Sequence, residues 1–304
     1  MANDPSFKAI VKEKFPALFG ILSRAKDFGR NIRISRQIKT LPAKIEAYHA
    51  ENEEAKEVID FLRSNPVAMI PYDYTRSYAT LPMAVRRDEG TGLKYVVVGE
   101  RKIFFPAKMS DALIADSVRV GLMEQDKRSP HRYLPAASMD IGGGVAILCG
   151  ASDGLYALEI IDKFDKIFLF EANTDWVEPI KNTLKDYLPK IEIVPLFISD
   201  QDGPGAISLD TFLKDKNVVV NYIQADIENA EIKLLKGARK LLERSTELKL
   251  CLCCYHTAHQ EKELTDFLQQ LNYTVRPSAG FLLMWMDVPL RPPFLRRGVL
   301  YANR

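Results

Sequence analysis

The chain has 304 residues, 42 Lys and Arg against 40 Asp and Glu for a formal net charge of +2, and 47% hydrophobic residues. That length holds a sizeable core and two domains, and so small a charge gives no bulk reason to expect a nucleic acid as partner. With no apolar run near the roughly 18 residues that span a bilayer and no basic-then-apolar signal peptide, no transmembrane segment and a cytoplasmic location are expected.

The first sixty residues read as helical. Phe7, Ile10, Val11, Leu18, Ile21 and Leu22 recur at helical spacing, interrupted by Pro16. Lys8, Lys12, Lys14, Arg24, Lys26, Arg30, Arg33, Arg36, Lys39 and Lys44 outnumber the acids of this stretch. They form either the solvated side of helices or a peripheral contact with a membrane surface or acidic polymer. A second amphipathic run, PAKIEAYHAENEEAKEVIDFLRSNP, opens near Pro42 and stops before Pro66. VAMIPYDY, MAVRRD and KYVVVGERKIFF read as β pieces, the last a hairpin turning at Gly99-Glu100. SDALIADSVRVGLMEQD is a helix capped by Ser110, leading into KRSPHRYLP.

From Val145 the pattern alternates. The strands VAILC, KIFLFE, IEIVPLFIS, VVVNYIQAD and LKLCLCCY are separated by LYALEIIDKF, DWVEPIKNTLKDYL and AEIKLLKGARKLLE, and QEKELTDFLQQL follows the last of them. This predicts an α/β fold with a mostly parallel, doubly wound sheet, because both faces of such strands are apolar. YTVRP, GFLLMWM and GVLYA follow without a helix, so an antiparallel C-terminal hairpin is expected at the sheet edge. A smaller α+β region over 1–134 and the sheet domain over 135–304 are the predicted divisions. Of four cysteines, Cys251, Cys253 and Cys254 share the last apolar strand with no second ligand pair at zinc spacing, and Cys149 ends the first. They read as free thiols of a reducing compartment, not as a metal site.

Ligands of open α/β sheets sit at the carboxyl ends of the strands. Gly150-Ala151-Ser152-Asp153-Gly154 allows a tight turn and close backbone approach, but its G-x-x-x-G spacing is not the dinucleotide fingerprint. Gly142-Gly143-Gly144 lies before the strand and reads as a connecting turn. Glu171-Ala172-Asn173 places an acid about 20 residues on, where it can accept both ribose hydroxyls or cap a helix. Ser199-Asp200 meets an adenine amine or forms a plain turn. Asp226, Glu228 and Glu231 are costly to desolvate together and need a cation, a proton or hydrogen-bond donors nearby. His256 ends the fifth strand as a general base, a ligand or a structural residue, whereas His259 reads as a surface residue.

In this order, the glycine loop, FEAN, ISDQDG, LDTFL, IQADIENAEIKLLKGARKLL and a strand ending in YH resemble the FkbM-type family of S-adenosylmethionine-dependent methyltransferases. Asp226, Glu228, Glu231, Leu235 and Gly237-Ala238 keep the family pattern near its fourth strand. NPVAMIPYDYT, GERKIFFP, EQDKRSPHRYL and RPPFLRRGVLYA resemble one bacterial branch. The resemblance implies a Rossmann-like class I methyltransferase fold with S-adenosyl-L-methionine as cofactor and O-methylation of a hydroxyl on a sugar, glycan or small metabolite. Gly150 to Gly154 would underlie the methionine part, Glu171 would hold the ribose, and Asp226, Glu228 or His256 would take the hydroxyl proton. Gln125, His131, Arg132 and Glu231 would touch the acceptor, although Arg132 pairing with a core carboxylate is the plainer reading. A divalent metal on the acidic loop is a further option, with no residue assigned to it.

Three departures stand out. Leu148 occupies the place of an acid that, in the family, helps hold the methionine ammonium. Gln224 stands for a lysine and Asn229 for a glycine. The alternative reading is therefore a non-catalytic member of the fold, acting as a cofactor-binding scaffold or partner subunit.

Overall fold

The computed structural model describes residues 37–134, 139–287 and 289–304. The periodicity over Phe7–Leu22 and most of the basic N-terminal residues lie outside them. The chain divides into two compact units, Met1–Pro71 with Leu283–Leu295, and Tyr72–Leu282 with Arg296–Arg304.

In the first unit, α1 covers 37–48 and α2 covers Lys56–Ser64. The run predicted as one helix is two, because Asn52 leaves the helix and its side chain accepts from the N–H groups of Glu54 and Ala55 at 3.1 and 3.3 Å. α2 buries Val58, Ile59 and Leu62 along one face.

The second unit opens with α3, Thr75–Ala79, and three antiparallel strands: β1, Arg86–Arg87, β2, Lys94–Val98, and β3, Arg101–Phe105. The predicted hairpin is β2–β3, turning at Gly99 with φ +60°. VAMIPYDY forms no strand: Pro71 has no N–H for a ladder, and Tyr72 turns the chain by accepting from Thr75 N. α4, Asp111–Glu124, starts where Ser110 Oγ accepts from Leu113 N. Residues 86–124 thus belong to the same compact unit as the large sheet.

That sheet holds β4, Val145–Cys149, β5, Lys166–Phe170, β6, Ile191–Val194, β9, Val220–Ala225, β10, Lys249–Cys253, β11, Thr274–Pro277, and β12, Val299–Asn303. Between them lie α5, Leu155–Ile160, α6, Val177–Thr183, α7, Leu209–Phe212, α8, Glu231–Gly237, α9, Arg239–Arg244, and α10, Gln260–Gln270. β7, Phe197–Ile198, and β8, Ala206–Ile207, form a separate parallel pair, since Pro195 ends the ladder of β6. The strand order is β11–β12–β10–β9–β4–β5–β6, parallel except for β12, which runs antiparallel to both neighbours. This is the class I methyltransferase topology expected from the sequence, with the antiparallel hairpin β11–β12 added at the β10 edge as predicted; its second strand, β12, is the one that pairs with β10, and β11 is the outer strand. Alternate residues of β4 feed two cores. Val145, Ile147 and Cys149 pack on one face, Ala146 and Leu148 on the other. Among the described residues, no helix is long and apolar enough to cross a membrane.

Candidate functional site

From β4 the chain builds outward through β5 and β6, then returns to β9 and β10 on the other side. The carboxyl ends of β4 and β9 therefore border the crevice where such sheets bind ligands. Asp226 N donates to Cys149 O at 3.0 Å, and Gly150 N donates to Phe170 O at 3.0 Å. Gly150 has φ +84°, and a Cβ there would lie 2.0 Å from Asp226 O. Only glycine fits, on both conformational and steric grounds. Ser152 and Gly154 also have positive φ, +47° and +79°, and Gly154 begins α5. Asp153 Oδ1 accepts from Leu155 N at 2.9 Å, so this acid caps α5, and burial raises its pKa.

Glu171 follows β5 and spans two loops. Its carboxylate oxygens accept from Ser152 N at 3.1 Å and Asn173 N at 2.8 Å. Asn173 in turn accepts from Asp175 N. The cleft has two halves. The larger, about 460 Å³, runs past Glu171, Ala172 and Asn173 to Leu196, Phe197 and Ile198. The smaller, about 280 Å³, lies toward Leu148, Asp153 and Gln224 under α4. Glu124, Tyr133, Gly150, Ser152 and Trp176 border both. No Lys, Arg or His is among the described residues lining either half. Ser199 and Asp200 are absent from both linings. Ser199 Oγ contacts Asp200 instead, while the neighbouring Phe197 stands 67% exposed at the larger half.

Asp226 gathers the rest. Tyr133 Oη donates to its Oδ2 at 2.7 Å, and Tyr255 Oη approaches at 3.3 Å. His131 Nε2 lies 3.5 Å from Oδ2 and His256 Nε2 lies 3.1 Å from Oδ1. His256 also faces Glu231 at 3.3 Å and Glu228 at 3.7 Å. Glu231 is fully buried, accepts from Ile227 N at 2.9 Å and from Gln260 Nε2, and lies outside the cleft lining. Glu228, by contrast, is exposed at the rim, with φ +53° beside Asn229 at +74°.

These neighbours set the charges. Burial alone would lower the His256 pKa, but Asp226 and Glu231 outweigh it and push it up to about 10. Burial also opposes ionisation of Asp226, yet His131, His256 and Tyr133 hold it well below the usual carboxylate range. His131 is raised despite its burial, chiefly by Glu124 and Asp226. At neutral pH the pattern is a carboxylate beside the His256 imidazolium, with the His131 ring on its other oxygen. Two groups of atoms, His131–Asp226–Cys253 and Asp226–Glu231–His256, lie within 4.8 Å of one another. An ion at the second would first have to displace the His256 proton.

Gln125 lines the smaller half of the cleft, and Arg132 supports it from behind. Gln125 Oε1 accepts from Tyr133 N at 2.9 Å, and Arg132 donates to Gln125 O at 2.6 Å and faces Glu159 at 3.7 Å. Neither His131 nor Arg132 lines the cleft. Glu124, Tyr133, Trp176 and Phe197 are lining residues that sequence reasoning passed over. Only Tyr133 carried a signal, as the last aromatic of SPHRY.

The chain matches no curated protein. Among solved structures it is similar to a methyltransferase FkbM from Methylobacillus flagellatus KT, at 19% identity over 64% of this chain and a TM-score of 0.44. The match spans 56% of that protein's length. It is also similar to an rRNA methylase from Streptococcus thermophilus, at 11% identity over 55% of this chain and 90% of that one, with a TM-score of 0.38. A methyltransferase-like chain from Streptococcus mutans, solved in complex with SAH, is 14% identical over 54% of this chain and 90% of that one, with a TM-score of 0.37. The sequence profile of the methyltransferase FkbM domain matches residues 124–287, more than half of the sequence and every loop of the crevice. The chain belongs to the FkbM methyltransferase family.

Proposed function

We propose that the protein is an S-adenosyl-L-methionine-dependent O-methyltransferase acting on an uncharged hydroxyl of a sugar, glycan or small metabolite. The observation that carries this reading is the packing of Gly150 on the Asp226 backbone with Glu171 one strand away, a cradle that a single Cβ would fill. The residues present fit the cofactor. Glu171 retains lone pairs for ribose hydroxyls, Ala172 and Asn173 flank it, and Phe197 offers an aromatic face to the base. The Gly150–Gly154 loop, with Ala151, Ser152 and Asp153 between, allows close approach of the methionine part. Lined, among the described residues, by acids and no basic side chain, the cleft suits a cationic cofactor and disfavours an anionic acceptor.

When bound, the cofactor supplies an electrophilic methyl group on a sulfonium. Asp226 orients the acceptor hydroxyl and takes its proton. Its depressed pKa is no obstacle, because a hydroxyl proton becomes strongly acidic as the new C–O bond forms. His256, protonated, is a positioning residue: it holds Asp226 and Glu231 together, while Glu228 guards the rim. Hydrogen bonds from Tyr133 and Tyr255 to Asp226, with His131 and His256 close beside it, favour the second reading, a non-catalytic member that binds cofactor alone. Titration calorimetry with S-adenosylmethionine and S-adenosylhomocysteine tests the first step, and absence of binding by either sinks both readings. Release of S-adenosylhomocysteine with a panel of hydroxylated acceptors, lost in Asp226→Asn, separates enzyme from scaffold. Turnover that survives chelator treatment would show that the Asp226 loop works without a divalent metal.

A further inference from the structure

The missing acid at Leu148 leaves a question that the smaller half of the cleft answers. Leu148 is 2% exposed and packed into the core on the face covered by α5, so the strand contributes no charge where the amino acid end of the cofactor would lie. An α-amino acid head group needs an acid for its ammonium and a donor for its carboxylate. Both are present, but on other elements.

Building on the cofactor reading above, we propose that Glu124, at the end of α4, holds the ammonium of the bound cofactor in place of an acid at Leu148, with Gln224 facing the carboxylate. Glu124 borders both halves of the cleft, and its side chain is 19% exposed. The one basic side chain paired with its carboxylate among the described residues is the His131 ring, at 3.9 Å and beyond hydrogen-bond reach. Burial raises its pKa and the His131 ring offsets that only in part, as for a carboxylate that would gain from a closer cation. Gln224 is 2% exposed, pairs across the sheet with Leu148, and leaves its buried Nε2 without a hydrogen-bond partner. An orphaned buried donor costs free energy unless a ligand satisfies it. Asp153 is the competing acid, but one of its oxygens already caps α5. The acceptor oxygen of Gln125 is engaged as well, since Oε1 accepts from Tyr133 N and so is taken from the ammonium.

The test compares two ligands on the full chain. S-adenosylhomocysteine carries the amino acid head, whereas 5′-methylthioadenosine keeps the adenosine and thioether and lacks it. Glu124→Gln is nearly isosteric, and its affinity for S-adenosylhomocysteine should fall about ten- to a hundredfold, the scale of a charge-assisted hydrogen bond. Its affinity for 5′-methylthioadenosine should stay unchanged, which also reports that the cleft is folded. Gln224→Leu should show the same ligand-selective loss. Three results overturn the proposal: equal loss for both ligands, full retention of S-adenosylhomocysteine binding, or a head-selective loss in Asp153→Asn but not in Glu124→Gln. Failure of the unaltered chain to bind S-adenosylhomocysteine overturns the cofactor reading itself. Normal binding with turnover lost in Glu124→Gln would make Glu124 the proton acceptor and end its ammonium role.

Discussion

His256 sets a positive charge between Asp226 and Glu231 in the crevice, and its titration is measurable. Its pKa in the folded chain, about 10, exceeds the unperturbed 6.5. The ion pairing is therefore fully present below pH 6.5 and fades as pH rises through about 10. Asp226, shifted the other way, contributes stability above the usual carboxylate range that is lost as pH falls. The thermal midpoint should decline from pH 6.5 to pH 10 in the natural chain, and His256→Gln should flatten that decline. Parallel pH profiles for the two chains would show that the imidazolium carries no stability. Gly150→Ala makes a harsher case, because both φ and the 2.0 Å approach to Asp226 O forbid the side chain. Its soluble yield or S-adenosylhomocysteine affinity should collapse, whereas Asn229→Gly, at φ +74°, should be neutral or slightly stabilising. Asp226 and His256 were legible in the sequence because each ends an apolar strand, where an uncompensated polar group needs a reason. Glu124 was not, since an acid closing an amphipathic helix looks the same whether it meets solvent or a cleft.

At the scale of elements, α4 is a wall of the site and not merely a connector, with Ser117, Val120, Gly121 and Glu124 on the smaller half of the cleft. Gly121 has no heavy atom within 4 Å of an added Cβ. Gly121→Ala should then stabilise the helix by about 0.5–1 kcal/mol, raising the thermal midpoint by a few degrees. Gly121→Phe should instead project into the cleft and weaken S-adenosylhomocysteine binding without unfolding the chain. Retained affinity in that variant would place the cofactor elsewhere. The existence of α4 and its Ser110 cap could be read from composition, but the face it turns to the crevice could not. Single predicted elements broke where one residue overrode the periodicity: Asn52 by capping, Pro195 by lacking an N–H, and Gly237 by its backbone approach to Ser199 O, 2.1 Å from where a Cβ would stand.

At the scale of the molecule, the last strand explains how the sheet closes. β12 pairs with β10 through five residue pairs and with β11 through four. The sequence reading placed a hairpin at the sheet edge, and β11–β12 is that hairpin; which of its strands pairs with β10 is set by tertiary packing that local periodicity does not encode. One signal was there: an edge strand in water carries charge or alternates in polarity, whereas Val299-Leu300-Tyr301-Ala302 is uncharged and continuously apolar, and Val299, Leu300 and Ala302 are buried. Removing residues 299–304 would strip both neighbours of their ladders and leave β10 as an exposed apolar edge with three cysteine side chains at or beside it. β10 also positions Tyr255 and His256, so the damage would reach the Asp226 network. The truncated chain should therefore aggregate or lose S-adenosylhomocysteine binding, measured by soluble yield and calorimetry. A truncated chain that stays soluble and binds normally would show that β4, β5, β9 and β10 hold the site without β12.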